Sequence, residues 1–164
     1  MKFKHGLVVG KFCPLHRGHQ LVIDTALEQC EHVFIITYTS RDLGFDAMTR
    51  FDWIMKLYGD RNIDVLAIED KGGSGVPDDN ASDLEHRVFC AGLCEDERLQ
   101  PDAVFTSESY GDGFARFLSD RWVKPVDHVC VDILRLQIPI SGTALRDDKS
   151  LWQDFVDPRI QDES

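Results

Sequence analysis

Two short segments, one near each end of the chain, carry the residue types that bind phosphate. Residues 10–19 read Gly-Lys-Phe-Cys-Pro-Leu-His-Arg-Gly-His, and residues 140–146 read Ile-Ser-Gly-Thr-Ala-Leu-Arg. Each segment follows an apolar run and opens a stretch with helical spacing, so its polar groups lie at the start of a helix. Unpaired N–H groups and the positive end of the helix dipole favour an anion there. Together the segments predict an enzyme site for the phosphates of a nucleotide.

The first segment offers two imidazoles. His16 and His19 are three residues apart across the predicted turn, so both rings can face one anion. An imidazole N–H can donate a hydrogen bond to a phosphoryl oxygen whose charge grows in the transition state. Gly10 would let the chain turn sharply after the strand, and Gly18 would let a phosphate approach the backbone. The alternative, two histidines that only cap a helix, is disfavoured by the glycine, proline and lysine at compatible offsets.

The second segment offers hydroxyls and a guanidinium. We expect Pro139 to end a strand, Ser141 or Thr143 to cap the following helix, and Arg146 to face the same crevice from the first turn of that helix. This arrangement would suit the β- and γ-phosphates of a nucleoside triphosphate. A simple helix cap followed by a surface arginine is the alternative for this segment.

The elements that must position these groups alternate between strand and helix. Short β-branched runs predict strands at residues 6–9, 32–38, 63–68, 103–106 and 126–131. Helical spacing between them predicts helices at residues 18–30, 47–57, 83–94 and 110–118, with a fifth beginning at Gly142 or Thr143. This alternation is typical of an α/β fold with a mostly parallel sheet covered on both faces.

Length and composition predict one soluble domain. The chain has 164 residues, 43% of them hydrophobic, which suits a single domain over residues 1–156 followed by a frayed acidic tail over residues 157–164. The N-terminus lacks the features of a signal peptide, and the five cysteines are an odd number, so we expect a cytoplasmic protein without a disulfide framework. Cys90 and Cys94 are expected to be buried, and no metal site of the protein's own is predicted.

The charge of the chain narrows the class of partner. The formal net charge is −11, and such a surface repels nucleic acid and anionic membranes. A small phosphorylated substrate remains compatible because it needs only a few local cations. Lys11, Arg17, Arg135 and Arg146 lie in or near the two segments.

One stretch interrupts the regular alternation. Residues 70–82 are rich in Gly, Pro and Asp and follow the third predicted strand. Ligands of an open α/β sheet bind beyond the carboxyl ends of its strands, so a loop that covers the substrate is one interpretation. A plain solvated connection is the other, and the sequence favours neither.

The two segments resemble the motifs of a known superfamily. The first is similar to the His-x-Gly-His motif, and the second to the Ile-Ser-x-Thr-x-x-Arg motif, of the nucleotidylyltransferases. Residues 104–112, Val-Phe-Thr-Ser-Glu-Ser-Tyr-Gly-Asp, and Trp152 add a likeness to the nicotinamide mononucleotide (NMN) adenylyltransferase domain of bacterial proteins that also carry a ribosylnicotinamide kinase. The likeness covers nearly the whole chain.

The resemblance implies a fold, a reaction and a set of site residues. The fold would be a Rossmann-like doubly wound parallel sheet, with the site between its first and fourth strands. The reaction would be direct in-line transfer of AMP from ATP, with Mg²⁺, to NMN, which gives NAD and pyrophosphate. His16, His19 and Arg146 would be catalytic. The implied ATP-binding residues are Gly10, Lys11, Phe12, His16, His19, Ser107, Tyr110, Ile140, Ser141, Thr143 and Arg146.

The acceptor side departs from the family. Relatives usually place a tryptophan near the start of the third helix to stack on the nicotinamide ring, whereas this chain has Leu84, His86 and Phe89 there. Those three residues are candidates for the acceptor, and Arg50 is a fourth, since it could reach a substrate phosphate or merely begin a solvated helix. Another phosphorylated acceptor, such as phosphopantetheine or a sugar or alcohol phosphate, is an alternative substrate. A module that binds ATP or NAD without turnover is an alternative function. The sequence is also compatible with a homo-oligomer.

Overall fold

The computed structural model describes residues 1–69, 75–133 and 135–161, and its strands and helices alternate as predicted. The strands are β1 (Phe3–Gly10), β2 (Cys30–Tyr38), β3 (Ile63–Ile68), β4 (Ala103–Thr106) and β5 (Asp127–Cys130). The helices are α1 (Arg17–Gln29), α2 (Ala47–Tyr58), α3 (Asp83–Asp96), α4 (Tyr110–Trp122), α5 (Gly142–Asp147), α6 (Trp152–Phe155) and α7 (Pro158–Gln161). No helix in these three ranges is long and apolar enough to cross a membrane.

All five strands run parallel in the order β3-β2-β1-β4-β5. The order reverses between β1 and β4, where the site was expected. β1 pairs with β2 from Phe3 to Gly10, but its ladder with β4 covers only Gly6 and Leu7. The carboxyl half of β1 therefore parts from β4, and this divergence opens a crevice at the switch point.

Apolar side chains cover both faces of the sheet. One core cluster joins α1, α2 and the C-terminal helices through residues such as Ile23, Trp53 and Ile160. The other joins α3 and α4 and contains Cys90 and Cys94, which are buried as expected. The Rossmann-like α/β prediction is confirmed, because the sheet needs helices on both faces to bury these two clusters.

Within residues 131–133 and 135–138, the described residues between β5 and Pro139, the structure has no strand. The fifth strand ends at Cys130, and residues 131–141 connect it to α5. The reason is a turn: the carboxylate of Asp132 accepts hydrogen bonds from the backbone N–H groups of Gln137 and Ile138, each at 2.9 Å. This turn replaces the strand that we expected Pro139 to end.

The acidic tail is not frayed over residues 157–161. Asp157 is 3% exposed and Ile160 is fully buried. The Asp157 carboxylate accepts hydrogen bonds from Arg17 at 3.2 Å, Gln20 at 3.1 Å and Arg159 at 2.6 Å. These partners lie on α1 and α7, so the ion pairs tie the tail to the start of α1. Residues 162–164 lie outside the described ranges, and a domain boundary at residue 156 stays a prediction.

Replacing Ile160 tests whether the tail belongs to the core. We expect Ile160→Ala to lower the free energy of unfolding by about 3 kcal/mol, since a fully buried side chain would leave a cavity. Urea unfolding measures the change, with Gln153→Ala at an exposed position of α6 as the control. Equal stability of the two variants would contradict this packing.

Candidate functional site

A crevice of about 380 Å³ lies between β1 and β4 at the carboxyl edge of the sheet. The structure brings ten of the residues predicted for ATP to its wall. They are Gly10, Lys11, Phe12, His16, His19, Ser107, Tyr110, Ser141, Thr143 and Arg146. The eleventh, Ile140, is buried behind the wall, and its carbonyl accepts a hydrogen bond from Arg135 at 2.8 Å. The two segments, 130 positions apart in the chain, therefore form one cavity.

The two imidazoles of the first segment are fixed by the start of α1. His16 is the N-cap residue, and its Nδ1 accepts a hydrogen bond from the Gly18 N–H at 3.0 Å. The Nδ1 atom of His19 accepts one from the His16 N–H at 3.1 Å. The rings stack with centroids 3.7 Å apart. The histidines thus cap the helix and line the crevice at once, so the two interpretations of the sequence are not exclusive.

These hydrogen bonds decide which ring nitrogen carries the proton. Because each Nδ1 accepts from a backbone N–H, the proton of a neutral ring lies on Nε2. Burial, and then the charge of Arg135, lower the pKa of His16 to about 4. Burial, followed by His16 and Arg135, also lowers the pKa of His19 well below its usual value. Both rings are therefore neutral Nε2–H donors at neutral pH, as a site that receives growing negative charge requires.

The glycines of the first segment make room for rings, which corrects two expectations. A Cβ atom on Gly18 would lie 2.8 Å from Cε1 of His16, so the imidazole occupies the space that we expected a phosphate to need. A Cβ atom on Gly10 would lie 2.8 Å from Cε1 of Phe12. The left-handed residue of this loop is Phe12, with φ of 53°. Gly10 therefore serves the packing of Phe12, and the sharp turn lies two residues later.

Arg146 connects the second segment to the first. Its Nη1 donates to the carbonyl of Cys13 at 2.6 Å, and its Nη2 donates to Oγ1 of Thr143 at 3.3 Å. Ser141 caps α5 as predicted, since its Oγ accepts from the Ala144 N–H at 3.2 Å. Arg146 lies in the last turn of the six-residue α5 and not in the first turn. From there its guanidinium still reaches the loop that follows β1.

A second cavity, of about 230 Å³, adjoins the crevice and shares Val9, Gly10, Lys11 and Tyr110 with it. Its other lining residues come from β2, α3, α4 and the segment before α3. They are Tyr38, Asp79, Asp83, His86, Arg87, Cys90 and Phe114. His86 is the one residue predicted for the acceptor that belongs to this lining, and its Nδ1 lies 2.8 Å from the Tyr38 hydroxyl.

The other three residues predicted for the acceptor lie elsewhere. Leu84 is 57% exposed on α3. Phe89 packs edge-on against the Tyr38 ring, at 5.0 Å between centroids, and so supports the cavity wall from outside its lining. Arg50 is 1% exposed, and its guanidinium donates to the carbonyl of Lys11 at 3.1 Å and to Oγ1 of Thr37 at 3.0 Å. Arg50 therefore fastens the loop that follows β1 from inside the protein, and it lines neither cavity.

Asp79 is a residue of the site that the sequence did not single out. Its side chain is 3% exposed and lies 3.3 Å from Nζ of Lys11. Burial works against ionisation, but hydrogen bonds from Ser40 and Thr39 and the charge of Lys11 prevail, so the pKa of Asp79 is well below its usual value. In the sequence, an aspartate within a Gly- and Asp-rich loop looks like any solvated carboxylate.

The loop that contains Asp79 is described only in part. Residues 70–74 of the predicted covering loop lie outside the described residues, so both interpretations of that loop stay predictions. Across the described parts of the chain, no group of three or more His, Cys, Asp or Glu side chains could hold a metal ion.

Comparison with known proteins identifies relatives but no family model, since none matches the chain. The trifunctional NAD biosynthesis/regulator protein NadR of Escherichia coli is 25% identical over 95% of this chain and 39% of its own length. The NadR protein of Salmonella typhimurium is 26% identical with the same coverage. The chain thus spans about two fifths of the length of these curated relatives.

Solved structures share the fold. A NadR protein in complex with NAD and AMP-PNP has a TM-score of 0.63 and 20% identity over 93% of this chain and 44% of its own. A bifunctional NMN adenylyltransferase/ADP ribose pyrophosphatase from Francisella tularensis, complexed with AMP and a manganese ion, has a TM-score of 0.59, with 16% identity over 96% of this chain and 44% of its own. A Vibrio parahaemolyticus protein assigned as a nicotinate-nucleotide adenylyltransferase has a TM-score of 0.59, with 15% identity over 99% of this chain and 98% of its own.

These relatives confirm the resemblance found in the sequence. They are NadR and adenylyltransferases of nicotinamide or nicotinate nucleotides, which is consistent with an HxGH nucleotidylyltransferase relationship. The structural matches show the fold.

The neutral state of His16 predicts how stability depends on pH. Its folded pKa of about 4 lies below the ordinary value of 6.5, so unfolding takes up a proton between these values. The contribution of His16 to the free energy of unfolding is therefore complete above pH 6.5 and falls by on the order of 3 kcal/mol as the pH drops to 4. Urea unfolding of the wild type and of His16→Asn, which keeps a capping side chain, measures this difference. Parallel pH profiles for the two proteins would refute the buried neutral ring.

Proposed function

We propose that this chain, a relative of the NadR proteins, is a nicotinamide-nucleotide adenylyltransferase that forms NAD and pyrophosphate from ATP and NMN. The observation that carries the proposal is the stacked pair of imidazoles beside Arg146 in one crevice. Two neutral Nε2–H donors at the start of α1 and the nearby guanidinium of Arg146 suit a phosphoryl group that gains charge as it reacts.

The reaction needs no covalent enzyme intermediate. A phosphate oxygen of NMN attacks the α-phosphorus of ATP in line, the new P–O bond forms, and the bond between the α-phosphorus and the bridging oxygen breaks as pyrophosphate leaves. His16 and His19 would donate their Nε2 protons as hydrogen bonds to the reacting phosphates. The protein then acts by positioning and by charge stabilisation, which are the main contributions in phosphoryl transfer.

Other residues of the crevice lining would contact the remaining parts of ATP. Lys11, Ser141, Thr143 and Arg146 would hold the β- and γ-phosphates, with Mg²⁺ entering as part of the nucleotide substrate. Residues 107–110 and the backbone near Ile140 would border the adenosine. The manganese ion in the Francisella neighbour supports a divalent cation, and Mg²⁺ itself is our proposal.

The smaller cavity would take NMN. It adjoins the crevice at Lys11 and Tyr110, so an acceptor phosphate can lie next to the α-phosphate of ATP. The aromatic rings of Tyr38 and His86 would replace the tryptophan of relatives against the cationic pyridinium ring. Because a net charge of −11 disfavours nucleic acid, we propose small molecules as the partners. We also propose that the protein acts in the cytoplasm.

A panel of acceptors tests the assignment. We expect Mg²⁺-dependent release of pyrophosphate from ATP with NMN, at a higher kcat/KM than with nicotinate mononucleotide, phosphopantetheine, or sugar and alcohol phosphates. If another acceptor gives a higher kcat/KM than NMN, that acceptor is the substrate of the same adenylyl transfer. Tight binding of ATP or NAD, with no pyrophosphate released from any acceptor, would instead support a sensing module.

Substitution of His19 tests the role of the imidazoles. His19→Asn keeps an acceptor for the His16 N–H but removes the Nε2–H donor, so we expect kcat to fall about 100- to 1,000-fold. The matched control is His5→Asn in β1, near the amino edge of the sheet, which should keep wild-type kcat. Near-wild-type turnover of His19→Asn would contradict the role of His19 as a hydrogen-bond donor to the reacting phosphates.

A further inference from the structure

We propose that Arg135, which lies in neither phosphate-binding segment, is a further catalytic residue that contacts the triphosphate of ATP. The inference rests on the proposed function for the identity of the ligand. It starts from the position of the side chain, since Arg135 lines the crevice together with His16, His19 and Arg146. Its place in the chain is the connection between β5 and α5, near the second segment but outside the motif of that segment.

The guanidinium is held at the wall by two acceptors. Nη1 donates to the carbonyl of Ile140 at 2.8 Å, and Nη2 donates to Oε1 of Glu108 at 3.1 Å. The side chains of Arg135 and Glu108 are 36% and 52% exposed, so this ion pair is solvated and weak. A triphosphate carries more charge than one carboxylate, and it can take over the Nη2 donor while Ile140 keeps Nη1 in place.

The backbone of this connection is strained where it presents Arg135. Both Asp132 and Arg135 have φ of 53°, a left-handed conformation that non-glycine residues rarely adopt. The two hydrogen bonds to the Asp132 carboxylate, from Gln137 and Ile138, hold the connection in this shape. Strain of this kind persists only where surrounding structure enforces it, and it concentrates at functional sites.

Arg135 lines the same crevice as both imidazoles. After burial, its charge is a further cause of the lowered pKa of His16 and of His19. The other charged groups of the crevice are Lys11 after β1, Glu108 after β4 and Arg146 on α5. A phosphate between the rings and Arg135 would meet neutral donors on one side and a cation on the other.

Arg135→Gln is the principal test, and Arg121→Gln is its matched control. Arg121 on α4 is similarly exposed, at 34%, but it pairs with Glu95 and does not line the crevice. We expect Arg135→Gln to lower kcat/KM for ATP about 100-fold and to leave KM for the acceptor within about twofold. Arg135→Lys should recover part of the loss, because lysine restores the charge without the planar fork. Arg121→Gln should stay within about threefold of wild type.

Two readouts do not depend on turnover. Calorimetric titration with inorganic tripolyphosphate should show weaker binding to Arg135→Gln and tighter binding to Glu108→Gln, which frees Nη2. NMR titration of the imidazoles should show a raised pKa of His16 in Arg135→Gln and no change in Arg121→Gln. Thermal unfolding of every variant verifies that it is folded.

The outcomes separate this inference from the proposed function. If Arg135→Gln binds tripolyphosphate as tightly as wild type, or if Arg121→Gln loses as much, Arg135 makes no specific contact and the inference is overturned. If wild type turns over none of the acceptors, the proposed function fails, but the tripolyphosphate titrations still decide the contact of Arg135 with a phosphate chain.

Discussion

The two hydrogen bonds that backbone N–H groups donate to the imidazoles at the start of α1 orient the candidate site. They occupy Nδ1 of His16 and of His19, so the remaining donor of each neutral ring is Nε2. The same bonds satisfy N–H groups that a helix start leaves unpaired, so the local fold and the presentation of the rings depend on the same contacts. Gly18 completes the arrangement, because a Cβ atom there would meet the His16 ring.

The second constraint is the divergence of β1 from β4. Only two residues of β1 pair with β4, so the loop after β1 leaves the sheet beside an open gap. Arg146 donates a hydrogen bond to the Cys13 carbonyl in this loop, and the buried Arg50 donates one to the Lys11 carbonyl of the same loop. The loop after β1 is thus held by two guanidinium groups, one lining the crevice and one buried behind it.

Charge is distributed unevenly between the surface and the crevice. The chain carries a net charge of −11, yet Lys11, Arg135 and Arg146 line one crevice. In the proposed function, this concentration of positive charge would attract a small polyanion, while the acidic remainder of the surface would repel a long one such as nucleic acid. Asp79 lines the smaller cavity, and its buried carboxylate pairs with Lys11, which lines both cavities.

The sequence by itself determined the alternation of strands and helices, because hydrophobic periodicity is local; the predicted strands and helices are present except for the strand expected to end at Pro139. It also identified ten residues of the crevice, since short segments with imidazole, hydroxyl and guanidinium groups beside a helix start have local signatures. Only the tertiary structure decided the direction of side chains whose partners are distant in the chain. Arg50 turned inward to Lys11 and Thr37, and Asp157 became buried against Gln20, 137 positions away. Arg135 came to line the same crevice as the histidines, at a left-handed position of its connection. These outcomes depend on which elements the sheet order brings together, and no local pattern encodes that order.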